Sequence, residues 1–251
     1  LFILLTGNMG YAQNVRFVSE GTIEYEKKVN MFALIKKNLA NIGENVFYVQ
    51  AFEAYKKNQP QFKVLKSKLV FSNNKTLFSP VVSKEAPTGG FFSNEPAANQ
   101  YNTIFTDLSA GTTTSQKNVY EETFLIQDST RKITWKITDE VREIAGYSCR
   151  RANAIMLDSI YVVAFYTDQI PVSGGPESFS GLPGMILGVA LPHENMTWFA
   201  TKVNDVAIGA QGVAAPTKGK AMNFPAFKTF ITSALKSWGD YAKAALKGFI
   251  L

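Results

Sequence analysis

Residues 20–29 alternate: Ile23, Tyr25, Lys27 and Val29 fall on one side, Thr22, Glu24 and Glu26 on the other. That period of two is the signature of a half-buried strand. Residues 31–58 change to a helical rhythm, with Phe47, Ala51, Ala54 and Tyr55 close to one face, Gly43 dividing the stretch and Pro60 following it. Gln61 to Phe71 predicts a second strand, with Phe62 and Val64 on one face and Leu65, Leu69 and Phe71 on the other. Asn73-Asn74 then turns the chain into Lys75 to Ser79, a hairpin. From Pro80 to Gln116 prolines, glycines and small polar residues dominate, so a long loop or flap is expected, with one short strand at Tyr101 to Asp107. If that flap covers a cavity, Phe91, Phe92, Tyr101 and Phe105 are its contact residues.

A strand at Val119 to Ile126 leads into the densest β region, Lys132 to Val203. Here Ile133 to Ile137, Tyr161 to Tyr166 and Thr197 to Val203 are rich in β-branched and aromatic residues and read as strands. They surround Ser180-Gly181-Leu182-Pro183-Gly184-Met185-Ile186-Leu187. Pro183 presets φ at about −65° and Gly184 accepts the positive φ that a type II turn needs next. Gly174-Gly175-Pro176 bends the chain just upstream. Two readings stand: a rigid corner that aims two strands, or a loop whose backbone amides and Leu182 contact a ligand or partner. Beyond it, Phe227, Ile231, Leu235, Trp238, Ala242 and Ala245 trace one apolar stripe after Pro225, with lysines on the other faces. This predicts a C-terminal amphipathic helix.

These elements add up to a mainly β protein with flanking helices: a curved antiparallel sheet or half-open barrel, similar to periplasmic lipoprotein-carrier folds. Residues 13–251 show no linker between strand-rich halves and are expected to form one domain. Leu1 to Leu5 is an apolar run, and Gly10-Tyr11-Ala12 before Gln13 offers small residues where a signal peptidase cuts. Residues 1–12 are therefore expected to be the remnant of a signal peptide. No later stretch approaches about 18 uninterrupted apolar residues, so a soluble mature protein is expected, with at most peripheral membrane contact.

Charge narrows the partners. The net +6 arises from the C-terminal lysines and from residues 27–68, where nine lysines face two glutamates. No zinc, helix-turn-helix or ribonucleoprotein motif accompanies it, so nucleic acid is not the expected partner; anionic lipid fits better. Cys149, the one cysteine, cannot form an intrachain disulfide and is expected to be buried and inert. His193 is the one histidine, and His193-Glu194-Asn195-Met196-Thr197 lacks the second histidine of a zinc-protease helix. It could ligate copper with Met185 and Met196. Asp139, Glu140, Glu143 and Glu177 could supply a carboxylate pair, though a solvated or turn-capping role suits each better. No G-x-S-x-G or phosphate loop occurs. The inventory points to a non-enzymatic protein without a cofactor.

Several blocks carry a family resemblance: Trp135, Glu140, Ile144 to Ala152, Phe165 to Val172, Gly175-Pro176, and Phe179 to Leu187. Their wording, order and spacing resemble the GLPGLI family of secreted bacterial envelope proteins. Met185 stands where the family usually has Leu, and Gly188 where an acid is common. The resemblance implies export across the inner membrane of a Gram-negative bacterium, hence a periplasmic or outer-membrane-associated location. Two binding roles follow: a carrier of a hydrophobic ligand such as a lipid, with Trp135, Phe165 and Trp198 lining a cavity, or a module docking an outer-membrane protein through Gly181, Leu182, Pro183 and Gly184. A periplasmic hydrolase using His193, or a copper-binding protein, is the rival expectation.

Overall fold

The computed structural model describes residues 17–42, 46–82, 91–99, 101–157, 159–209, 212–239 and 241–251. The expected leader, residues 1–12, and Gly43 lie outside them. β1 (Gly21–Asn30) is followed by α1 (Met31–Ile42) and α2 (Val46–Asn58). A first meander then runs through β2 (Phe62–Ser72), β3 (Lys75–Pro80), β4 (Asn102–Asp107), β5 (Thr112–Val119) and β6 (Glu122–Ser129), with short α3 (Pro96–Asn99) before β4. The second meander comprises β7 (Lys136–Ile144), β8 (Tyr147–Met156), β9 (Ile160–Thr167), β10 (Met185–Leu191) and β11 (Met196–Asn204). β12 (Lys220–Met222), α4 (Phe224–Ala234) and α5 (Tyr241–Ile250) complete the chain.

All twelve strands belong to one curved, unclosed sheet in the order β12-β6-β5-β4-β3-β2-β1-β11-β10-β9-β8-β7. β1 is the suture: it pairs antiparallel with β2 on one side and β11 on the other. Only β12 runs parallel to its neighbour. Residues 130–135 connect β6, next to one edge, with β7 at the other, and so cross between the two ends of the sheet. The β7 edge carries the exposed charges Lys136, Asp139, Glu140, Arg142 and Glu143 and a register irregularity between Ile137 and Val141. Both features discourage a further strand from adding there.

The alternation of residues 20–29 is a strand, and Asn73 and Asn74 take φ of 52° and 56° in the two-residue turn of the β2–β3 hairpin. Four expectations are corrected. Thr112 to Gln116, read as loop, is the first part of β5; its polar side chains hid its pairing with β4 and β6. Val119 to Ile126 is not one strand, because Tyr120, with φ 54°, turns β5 into β6. The strand read at Ile133 to Ile137 starts only at Lys136. The C-terminal stripe is likewise shared by two helices: a 3-10 turn at Lys236–Trp238 and Gly239, at φ 58°, separate α4 from α5.

Registered pairs define the inner face. Tyr25, Lys27 and Val29 stand opposite Ala200, Trp198 and Met196, and Trp198 in turn opposes Val189, which opposes Ala164. In the other direction Ile23 opposes Leu69, Leu69 opposes Phe78, Phe78 opposes Ile104, and Ile104 opposes Ser115. Apart from buried Lys27, the face is therefore apolar across β9, β10, β11 and β1; it turns more polar at β4 and β5, where Asn102, Thr106, Ser115 and Lys117 are buried. Residues 168–184 fold across it: a Cβ at Gly174 would lie 2.7 Å from the Thr76 methyl, and the Ile186 amide donates to the Gly174 carbonyl at 2.8 Å. α4 packs on β6 through Phe227 and Phe124, ring centroids 5.4 Å apart. α5 lies so close to α3 that a Cβ at Gly248 would be 2.6 Å from the Ala97 nitrogen. Among the described residues no helix is long and apolar enough to cross a membrane.

Candidate functional site

The Gly-Leu-Pro-Gly segment is a tied corner. Gly184 N–H donates to the Leu182 carbonyl at 2.8 Å, closing a three-residue turn over Pro183 in place of the expected type II turn. Gly184 has φ 148°, and a Cβ there would collide with the Thr167 carbonyl, so the glycine is required by both conformation and space. The Gly181 amide donates to Ser173 O at 3.0 Å, and Trp135 Nε1 donates to Ser180 O at 2.9 Å. Leu182 is buried in the core beneath the turn, while Gly181 and Pro183 are exposed. The structure thus brings Trp135 to the corner but does not gather the three aromatics. Trp198 lies on the inner face against Phe179, centroids 5.9 Å apart. Phe165 points from the opposite side of β9, beside Phe199 and under the Arg142 guanidinium. Because β9 is buried on both faces, an aromatic there does not reveal its side by alternation.

Upstream in the same loop, Glu177 holds a left-handed φ of 50° and is buried. Its carboxylate accepts from Asn102 Nδ2 at 2.9 Å and attracts Lys27 and Lys117. Lys27 Nζ donates to Ala97 O at 2.8 Å and sits 4.9 Å above the Trp198 ring. Burial pulls its ammonium below the ordinary lysine range, partly opposed by Glu177. Burial also pushes Lys117 down to about 8; Glu177 opposes the shift, and Arg131 and Lys27 add to it.

Beside this network a cavity of about 610 Å³ opens where the two ends of the sheet face each other. Strands β4 to β6 form one wall, Ile155 to Leu157 at the end of β8 another, and the crossing residues 130–132, the Ser178 and Ser180 loop and the start of α4 complete it. Its apolar surface comes from Ile104, Ile126, Ile155, Met156, Leu157 and Phe224. Its polar surface includes Thr106, Ser115, Lys117, Asp128, Ser178 and Arg131. Lys117 Nζ donates to Phe249 O at 3.0 Å, and Arg131 Nη2 donates to Ile250 O at 2.9 Å, so the last turn of α5 seats both cations. The other Arg131 amine, Nη1, is buried and has no partner among the described residues. The guanidinium carbon lies 5.5 Å from the centre of the Phe224 ring. Asp128 is engaged already: it accepts from the Phe224 amide at 2.9 Å and the Ser129 amide at 2.7 Å, and these bonds hold its carboxyl below the usual range.

A second cavity, about 390 Å³, lies among α1, α3 and α5. Within it Glu95 accepts from Asn38 Nδ2 at 3.0 Å and from the Tyr241 hydroxyl at 2.9 Å. Burial outweighs these bonds and pushes the Glu95 carboxyl up to about 7. Glu194 nearby accepts from Lys37 at 2.9 Å and Lys247 at 3.1 Å.

The remaining chemical candidates are scattered. His193 is exposed in a 3-10 turn, its ring 6.3 Å from Tyr161, whereas Met185 and Met196 are buried in separate hydrophobic clusters. Asp139, Glu140 and Glu143 sit on the β7 edge, with Glu140 paired to Arg151, far in function from buried Glu177. Cys149 is buried, and its thiol is pushed up to about 12 by that burial. Within the expected flap, Phe92 is buried against Tyr55, centroids 6.2 Å apart, while Phe91 and Tyr101 are exposed. Among the described residues no group of three His, Cys, Asp or Glu side chains is placed to hold a metal. Sequence reasoning missed Lys117, Arg131 and Glu95. For Lys117 a signal existed: it shares parity with Ser115 and Val119, all buried on β5.

Comparison with known proteins adds the following. Residues 156–188, which include β9 and the Gly181–Gly184 corner, match the model of a family described as a protein of unknown function (Porph_ging). No curated protein matches the chain. Two solved structures are similar: PNGF-II in the P21 space group, with 17% identity and a TM-score of 0.51, and PNGF-II in the C2 space group, with 15% identity and a TM-score of 0.52. Each match covers 88% of this chain and 34% or 33% of the other, so the chain spans about a third of the length of the proteins it matches. At these identities the likeness shows the fold alone.

Proposed function

We propose that the chain is a non-enzymatic binding protein of the bacterial cell envelope, exported by its leader, that holds a small hydrophobic or amphiphilic ligand in the cavity at the seam of the sheet. The observation that carries this reading is the cavity itself. At about 610 Å³ it falls within the range typical of small-molecule sites, and both walls carry apolar side chains, Ile104 and Ile126 on the one and Ile155, Met156 and Leu157 on the other. This replaces Trp198 and Phe165 as lining residues and keeps the Trp135 corner as the support that positions Ser178 and Ser180. The GLPGLI resemblance of the corner supports the envelope assignment, and the family match over residues 156–188 is compatible with it.

A native mass spectrum of the mature protein, purified gently from its own envelope, tests the reading. A discrete added mass of lipid size is expected, and Ile126→Trp, which fills the cavity, is expected to lose it. An added mass that survives Ile126→Trp, or none together with no uptake of an apolar fluorescent probe, overturns it. One further observation favours the docking role as a second reading: Val46, Phe47 and Phe91 expose an apolar patch beside α2, with Phe47 and Phe91 centroids 5.5 Å apart. A Phe47→Ser, Phe91→Ser variant that still co-purifies fully with outer-membrane protein would remove that reading. His193 lines neither cavity, so the hydrolase expectation gains nothing from their geometry.

A further inference from the structure

We infer that the polar end of the seam cavity is a subsite for an anionic head group, a carboxylate or a phosphate monoester, bound by the Arg131 guanidinium and the Lys117 ammonium. The inference deepens the proposed binding function and rests on it. Three observations converge. First, Arg131 Nη1 is buried with no acceptor among the described residues, although its sister Nη2 is satisfied by Ile250 O. A buried charged donor without an acceptor is rare in folded proteins and is accounted for when a ligand supplies one. Second, the lining carries three cations, Lys117, Arg131 and Lys132, against one acid, Asp128, and that acid is occupied by the Phe224 and Ser129 amides. With Asp128 counted as an anion the lining keeps two positive charges in excess, three cations less one carboxylate; Glu177, the carboxylate acting on Lys117, is tied to Asn102 in the neighbouring network. Third, both cations are seated by carbonyls at the end of α5, so their positions are set before a ligand arrives.

The chemistry of the ligand follows. A guanidinium presents a planar fork suited to two oxygens of one carboxylate or phosphate. Lys117 adds a second cationic donor, and the hydroxyls of Thr106, Ser115 and Ser178 line the same cavity. The wall at the end of β8, Ile155, Met156 and Leu157, offers no charged side chain and suits a hydrocarbon chain. A chain with an anionic head satisfies both ends at once.

The test titrates the full chain with dodecanoate, dodecyl phosphate, dodecanol and inorganic phosphate, each below its micelle concentration, by calorimetry. The anionic amphiphiles are expected to bind at least about tenfold more tightly than dodecanol, as charge-assisted hydrogen bonds require. In Arg131→Met this preference is expected to vanish while dodecanol binding persists. Lys117→Met serves as the second variant should Arg131→Met fail to show a cooperative melt. Inorganic phosphate that competes as strongly as dodecyl phosphate supports the anion subsite and identifies its occupant as the free anion. Equal affinity of wild type for dodecanol and dodecanoate overturns the subsite and leaves the cavity reading standing. Absence of binding by all four overturns both.

Discussion

The inner face of the sheet has two ends of opposite character. Across β1, β11, β10 and β9 it presents Val29, Trp198, Val189 and Ala164, covered by the 168–184 loop and α1 and closed to solvent. Across β4 to β6 the polar side chains Thr106, Thr113, Ser115, Lys117 and Asp128 share the inward positions with Ile104, Phe124 and Ile126, and there the covering layer stands off to leave a cavity. The same alternation thus serves two ends. Where inward residues are apolar the covering loop packs down on them; where they are polar, close packing would orphan their hydroxyls and charges, and a space is left instead.

The largest expected effect comes from the closed end. Trp198→Ala removes a fully enclosed ring and is expected to cost about 3–5 kcal/mol in urea unfolding. A cost below about 1 kcal/mol would mean that this end is as loosely filled as the other. Next comes Glu95, which holds α5 over the open end through Tyr241. Its carboxyl is raised from an ordinary 4.5 to about 7, so between those values the folded protein keeps a proton that the unfolded chain has released. Stability should therefore fall as pH rises from 4.5 through 7, by up to about 3 kcal/mol, with Glu95→Gln abolishing the slope. A slope of the opposite sign would remove the buried acid from the account. Gly184→Ala should destabilise by more than about 1 kcal/mol, since the corner that anchors the loop allows neither a Cβ nor its preferred φ. The smallest change is expected at the open end, where Thr106→Val keeps shape and should shift stability by less than about 1 kcal/mol. A larger loss there would show that the polar end is packed after all.

The same contrast decides what could be read from the sequence. β1, the β2–β3 hairpin, β9 and β11 are legible because their inward residues belong to the closed end, where hydrophobicity marks the buried side. Thr112 to Gln116 is not, because its inward positions serve the open end and look like loop. β7 is displaced in the reading because it is an edge strand dressed in charge. For the site, the Gly184 corner was within reach of turn chemistry and resemblance, whereas Trp135, read as lining a cavity with Phe165 and Trp198, is tied to that corner only by the fold. Arg131 was not within reach, and Lys117 was marked only by its parity with Val119: a single cation in a polar stretch reads as solvated until the fold lays the end of α5 across it.

The place of β1 between two meanders has a consequence for how the chain assembles. Its pairing with β2 joins partners 32 positions apart at Asn30–Phe62 and 50 at Gly21–Phe71, whereas its pairing with β11 joins Thr22 to Asn204, whose side chains are 182 positions apart. Contacts of such separation are slow to form, and a strand waiting for them is an open template for another chain. A chain emerging from a ribosome or a translocon therefore carries β1 half-paired until residues 196–204 have arrived. The waiting edge holds Lys27 and Lys28, adjacent cations of the kind that deter pairing with a second copy. The first strand to be made is paired on both sides only when the last strand of the second meander has been made.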